Sequence, residues 1–166
     1  EFPGLIYGIV EGYGEHGPAK DDPAFDTTAF WSRSGFLRDM APDGEHYSPV
    51  LPPFGVGDTV TGYLLLSQIL AALYRRVQTG KGDFVCSSLY HNGIFTMGTM
   101  QIISQAPWGK VWPMTRIAYG VPGGSYCCSD GEYIYISISY AEKKLLPLLY
   151  KMIGREDLLS HPKFCD

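Results

Sequence analysis

The stretch Gly57-Asp58-Thr59-Val60-Thr61-Gly62-Tyr63-Leu64-Leu65-Leu66-Ser67-Gln68-Ile69-Leu70-Ala71-Ala72-Leu73-Tyr74-Arg75-Arg76-Val77-Gln78-Thr79-Gly80 decides the architecture of this chain. Val60, Tyr63, Leu64, Ser67, Leu70, Ala71 and Tyr74 recur at intervals of three and four, the helical period. Leu65, Leu66, Ile69, Ala72 and Leu73 fill most of the other faces, and a helix that is apolar nearly all round is expected to be buried. Asp58 falls where an N-cap belongs, and Arg75-Arg76 followed by Gly80 suit a helix C-terminus. The pattern predicts a helix over 59–79.

Upstream, residues 39–57 contain Pro42, Pro49, Pro52, Pro53 and three glycines, so a long ordered loop is expected, of the kind that carries function. A short helical pattern precedes it at Thr27 to Gly35. Leu5 to Val10 reads as a buried strand, and Glu11 to Pro23 as an irregular loop rich in Gly, Pro and charge. Downstream, Leu89, Ile94, Met97, Met100 and Ile103 predict a second helix over Ser87 to Ser104. After Pro113 the period shifts to two. Tyr133 to Ile138 reads as a strand behind the turn Ser129-Asp130-Gly131, and Lys143 to Ile153 as a helix. The class is α/β, with a small α+β portion following the helical pair.

Composition narrows the function classes. Apolar residues make up 45% and charged residues 18% of 166, which excludes a disordered tail. Gly and Pro together reach 32 residues, well above ordinary usage, and mark a loop-rich chain. No uninterrupted apolar run approaches the roughly 20 residues that cross a bilayer, so no membrane partner is expected. The net charge of −4 argues against nucleic acid held by phosphate neutralisation. Charge is uneven: ten acids face three bases over residues 1–58, whereas four bases face one acid over 59–111. Cys86, Cys127, Cys128 and Cys165 show no Cys-x-x-Cys spacing, and with no signal-peptide pattern at the start they read as reduced thiols of a cytoplasmic protein.

Gly12-Tyr13-Gly14-Glu15-His16-Gly17 matches the dinucleotide fingerprint literally, but that motif needs its last glycine to open a helix. Here Pro18 and Pro23 bracket an acidic stretch that would repel a pyrophosphate. Gly80-Lys81-Gly82 lacks the upstream glycine and the Ser/Thr of a P-loop. His16, His46, His91 and His161 share no metal-ligand spacing, so no metal is expected. Asp58 carries two readings. One is an ordinary helix cap; the other is a nucleophilic carboxylate, kept ionised by the helix N-terminus and approachable because Gly55 and Gly57 flank it.

Several segments together resemble one family. They are Gly12-Tyr13-Gly14-x-x-Gly17-Pro18, Phe25-Asp26-x-x-Ala29-Phe30-Trp31-x-Arg33-x-Gly35, Gly57-Asp58-x-x-x-Gly62, Ala71-Ala72-Leu73, Thr79-Gly80-x-Gly82 and Val85-x-x-Ser88-Leu89. Ser125-Tyr126, Asp130-Gly131 and Ile153-Gly154-Arg155-Glu156-Asp157-Leu158 continue the series. In order and spacing, from about Leu5 to Phe164, they resemble the class III CoA-transferases, the CaiB/BaiF family. The likeness is strongest to members of anaerobic amino-acid fermentation that move CoA between 2-hydroxy acids and enoyl-CoA esters.

The resemblance implies a fold and a chemistry. Residues 1–111 would be the central part of the large Rossmann-like domain, and 112–166 a linker and the start of the small domain, of a fold whose two subunits interlock as a homodimer. Asp58 would attack an acyl-CoA thioester and pass through an aspartyl-CoA thioester, with CoA as substrate and no permanently bound cofactor. Phe25 would lie beside the thioester, where some members place a tyrosine. Gly57 would border the CoA site, Leu89 would contact the adenine end of CoA, and Gly123-Gly124 would form a glycine loop that shields the site from water. That loop is shorter than the glycine run of formyl-CoA transferases. The α-methylacyl-CoA racemases of the same fold use a histidine where Phe25 stands, so that proton-transfer chemistry is disfavoured. The likeness covers under half of a typical member, so the 166-residue piece is expected to be inactive alone. The alternative is a non-catalytic fragment or interaction module.

Overall fold

The computed structural model describes residues 2–40, 52–103, 105, 124–137 and 142–161. The chain forms two compact units, Glu1–Met114 and Thr115–Asp166. The domain boundary expected at 111–112 lies outside the described residues, as does most of the expected loop at 39–57.

The first unit is organised by β1 (Ile6–Glu11) and β2 (Asp83–Ser88), which pair in parallel from Ile6 opposite Asp83 to Glu11 opposite Ser88. A parallel pair needs a crossover, and α2 (Val56–Thr79) supplies it, packed against both strands. The helix comes close where β1 has no side chain: a Cβ on Gly8 would stand 3.3 Å from Ile69 Cδ1. It ends on Gly80, whose φ of 69° is the left-handed cap expected from the sequence, with its amide donating to the Arg76 carbonyl. Gly82 then passes so close to the Leu5 backbone that a Cβ would overlap it, and its N–H donates to Pro3 O at 2.6 Å. The Arg75–Asp83 ion pair joins the end of α2 to the start of β2.

The core lies beyond the last residues of the two strands. A π-helix (Asp26–Arg33) and α3 (Leu89–Thr96) pack together there, followed by α4 (Gly98–Ile103). Tyr13, Ala29, Phe30, Trp31 and Leu89 form the buried cluster. Phe36, from the short helix α1 (Phe36–Asp39), meets Trp31 edge-on at 4.7 Å and stacks on Phe30 at 5.9 Å. Such pairs add about 0.5–1.5 kcal/mol each to the area they bury. Buried polar groups tie the elements: Asn92 Nδ2 donates to Ser87 Oγ at 2.8 Å, and Ser87 Oγ donates to the Thr61 carbonyl at 3.3 Å.

The second unit contains an antiparallel hairpin of β3 (Gly124–Cys127) and β4 (Tyr133–Ile136), then α5 (Glu142–Met152) and a 3-10 turn (Glu156–Ser160). Its hairpin turn closes where Cys128 N donates to Glu132 O at 2.7 Å, with Gly131 at φ 86°. Arg155 grips Asp157 through two 2.9 Å hydrogen bonds, which hold the Asp157 carboxyl below its ordinary range.

Several expectations need correction. The strand expected to be buried over Leu5 to Val10 forms, but none of its residues is buried, and Leu5, Tyr7 and Val10 are exposed. Helix α2 begins at Val56, because Gly55 caps it in the left-handed conformation (φ 76°), so Asp58 is the third residue of the helix and no cap. The helix is not buried all round: Tyr63, Leu66, Leu70, Tyr74 and Val77 are exposed, since a two-stranded sheet covers only one face. At 24 residues it is also long and apolar enough to cross a membrane, contrary to the sequence reading. Its packing on both strands and on the π-helix gives it the place of a layer helix in an α/β unit instead. The helix expected over 87–104 is two helices interrupted at Met97, preceded by the unanticipated strand β2, and β3 was likewise unanticipated.

Candidate active site

The first turn of α2 is held from two sides. Gly55 O accepts from Thr59 N at 2.9 Å and from Thr59 Oγ1 at 2.8 Å, while Gly55 N donates to Asp26 Oδ2 at 2.9 Å. Gly57 is buried beneath the π-helix, where a Cβ would overlap Asp26 Oδ1 and the Phe30 ring. The backbone of this turn is thereby pressed onto the π-helix, and its next residue, Asp58, projects outward and is exposed. No hydrogen bond or ion pair engages the Asp58 carboxylate among the described residues. The amides of the first helical turn lack intrahelical acceptors and favour negative charge close by.

Asp58 opens into a cleft of about 490 Å³ that Phe25, Asp26, Thr27, Phe54 and Gly55 also line. Phe25 and Phe54 present their rings to it at 70% and 79% exposure, giving the cleft two apolar walls around one free carboxylate. Phe25 is fixed through its backbone: its N–H donates to Thr28 Oγ1 at 2.9 Å at the start of the π-helix. A free carboxylate, apolar walls and unpaired amides suit attack on an electrophilic carbonyl and stabilisation of the oxyanion that forms.

The structure brings Asp58 and Phe25 together on one cleft. Gly57 is absent from the lining of the cleft, and its missing side chain makes room for Asp26 and the Phe30 ring. Leu89, 7% exposed, packs in the buried cluster with Phe30 and Trp31. Gly123 lies outside the described residues. Gly124, expected in a glycine loop, opens β3 of the second unit at φ 134°. Sequence reasoning missed Phe54 and the buried Asp26. The signal for Phe54 was an aromatic set between Pro53 and Gly55 directly before a helix; Asp26 gave none beyond its place next to Phe25.

A second, smaller cavity of about 270 Å³ lies between the loop after β1 and α3, lined in part by Tyr13, His16, Arg33, Tyr90 and His91. The Arg33 guanidinium lies 4.8 Å over the Tyr13 ring and pairs with Asp22 at 3.3 Å. Hydrogen bonding to Tyr13, then to Asp22, raises its pKa further. Here Gly14 (φ 89°) abuts the His91 ring, and Gly17 leads into turns instead of a helix, so the dinucleotide geometry is not formed. Burial, with Glu11 and Glu15 adding to it, pushes the Cys86 thiol up, which disfavours a thiolate nucleophile there.

The sequence model of CoA-transferase family III matches residues 1–166. The chain belongs to CoA-transferase family III. It is 39% identical over 99% of its length to (R)-2-hydroxy-4-methylpentanoate CoA-transferase of Clostridioides difficile, and 32% identical over 99% to cinnamoyl-CoA:phenyllactate CoA-transferase of Clostridium sporogenes. In both cases it spans 40% of the relative's length. Among solved structures, the Rv3272 protein of Mycobacterium tuberculosis superimposes with a TM-score of 0.78 at 24% identity, over 99% of this chain and 42% of that one. A CAIB/BAIF family protein from Brucella suis gives 0.76 at 22%, over 98% and 42%. These likenesses place the α/β arrangement described above within the fold of the family.

Proposed function

We propose that the protein carrying this chain moves CoA between an acyl-CoA thioester and a carboxylic acid, with Asp58 as nucleophile. The observation that carries the reading is the exposed Asp58 carboxylate in the first turn of α2, unpaired among the described residues and open to a cleft. A carboxylate oxygen of Asp58 attacks the thioester carbonyl, the C–S bond breaks, and CoA leaves as thiolate from a mixed anhydride. The thiolate attacks the Asp58 carbonyl of the anhydride, releasing the donor acid and leaving an aspartyl-CoA thioester. The acceptor carboxylate attacks that thioester, the C–S bond breaks and CoA thiolate leaves a second mixed anhydride; the thiolate then attacks the acceptor's acyl carbonyl, forming the new acyl-CoA and expelling the Asp58 carboxylate. Activation is conserved throughout because no step admits water.

The acids fit a 2-hydroxy or 2-enoyl class, which the names of the two clostridial relatives support. The apolar walls formed by Phe25 and Phe54 agree with acyl groups of that kind. Phe25 has no proton to give or take, which speaks against racemisation at the α-carbon. An interlocked homodimer in the cytoplasm completes the proposal.

The test uses the protein expressed from its complete coding sequence. Incubation with an acyl-CoA followed by hydroxylamine is expected to convert Asp58 to its hydroxamate, read by peptide mass spectrometry. Asp58→Ala is expected to lower transfer by about 10⁴-fold or more, in line with the loss of a covalent nucleophile. Labelling at another carboxylate, or transfer that survives the substitution, overturns the assignment.

A further inference from the structure

We propose that Asp26 is a positioning residue of this site, a buried clamp that sets the turn from which Asp58 projects; the proposal rests on the reading of Asp58 as nucleophile. Asp26 is 93% buried by residue exposure of 7%, and its two oxygens are used unequally. Oδ2 accepts the Gly55 amide at 2.9 Å across 29 residues of sequence. Oδ1 is buried with no hydrogen-bond partner among the described residues, against Gly57, where the absence of a Cβ leaves room for it. A half-satisfied buried carboxylate costs stability, and an apolar residue of similar size would fill the space with less loss. Such an expense is characteristic of a group retained for function.

Two further features converge on it. Asp26 opens a π-helix, an irregularity concentrated at functional sites. The glycine it holds, Gly55, has a φ of 76° and is the N-cap of α2, so the carboxylate restrains the residue that fixes where the helix begins. Asp58 follows three residues later, and with Gly55 O bound twice by Thr59, the Asp26 contact leaves neither side of the Gly55 unit free to turn. Without the clamp, the Gly55 amide loses its acceptor and the first turn of α2 can fray, which moves Asp58 relative to Phe25 and Phe54.

The experiment compares Asp26→Ala, Asp26→Ser and Asp26→Asn in the protein expressed from its complete coding sequence. Single-turnover labelling of Asp58 by acyl-CoA and hydroxylamine is measured per folded site, together with the KM for acyl-CoA. Misplacing a reacting group by about 1 Å can cost about 100-fold, so Asp26→Ala and Asp26→Ser are expected to slow labelling about 10- to 100-fold, with KM little changed. Asp26→Asn keeps a carbonyl oxygen for the Gly55 amide and is expected to recover most of the rate. Hydrogen exchange at the Gly55 amide supplies a readout independent of the chemistry: faster in the Ala and Ser variants, near the parent in Asn. Parent-like labelling and exchange in folded Asp26→Ser, or a change confined to thermal stability, overturns the clamp. If Asp58 is never labelled in the parent protein, the nucleophile assignment has failed, and parent-like Gly55 exchange in the variants would separately overturn the clamp.

Discussion

The first turn of α2 and the outward ridge of the same helix are both small or apolar in sequence, yet they sit in opposite surroundings. Gly57 and Thr61 are buried against the π-helix and β2, and Asp26 reaches across to hold Gly55. Tyr63, Leu66, Leu70, Tyr74 and Val77 form a ridge at helical spacing on which each side chain stands at least half exposed or nearly so. The difference is one of neighbours. At the first turn, the missing side chain of Gly57 lets the π-helix approach until the buried Asp26 carboxylate fits against it, and Gly55 supplies the left-handed backbone that turns its amide to that carboxylate; along the ridge, the described residues of the unit provide no opposing layer. Conformational precision at the site therefore comes from contacts inside the first unit, and does not depend on how apolar α2 is along its length.

Two glycines of α2 test this contrast most directly. A Cβ at Gly57 would overlap Asp26 Oδ1 and the Phe30 ring, both buried, so neither can swing aside into water. Gly57→Ala is expected to destabilise the protein by about 3 kcal/mol, the upper part of the range for overpacking, as read from the midpoint of urea unfolding. A loss below about 1 kcal/mol would mean that the π-helix and α2 are more loosely joined than their geometry implies. Gly62, five residues on, has nothing within 4 Å of the place a Cβ would take. There the helix propensity of alanine acts alone, and Gly62→Ala is expected to stabilise by about 0.5–1 kcal/mol. Opposite signs at two glycines of one helix are the signature of the proposed division.

How much of this was legible follows from the range of the forces. The crossover helix, its glycine stop and the opening strand were readable because periodicity and caps are local. The start of α2 was misread because Asp58 is a good N-cap type, while the residue that caps the helix, Gly55, does so through a left-handed backbone that composition does not reveal. Strand β2 was missed because Asp83-Phe84-Val85-Cys86-Ser87-Ser88 lacks clean alternation, and its pairing with β1 spans some 77 residues of sequence. The burial of Leu89 is likewise long-range, since it shares its cluster with Phe30 and Trp31. At the site, Asp58 stood out through its neighbours in sequence. Asp26 and Phe54 became visible only when the fold brought residues 25–27 beside residues 54–58.

The ridge carries the smallest expected effect. Leu70 is 56% exposed, so more than half of its side chain already meets water and little transfer free energy is lost when it is cut back. Alanine is at least as good a helix former as leucine, which offsets part of what remains. Leu70→Ala is therefore expected to change unfolding stability by less than about 0.5 kcal/mol, against the 2–5 kcal/mol typical of a buried leucine. The same denaturation series that measures Gly57→Ala measures this variant, so the two ends of the comparison share one scale. A loss in the buried range would show that another surface covers the ridge in the protein. The two faces of α2 would then differ in which layer buries them, while the close approach at Gly57 would still set the first turn apart from the rest of the helix.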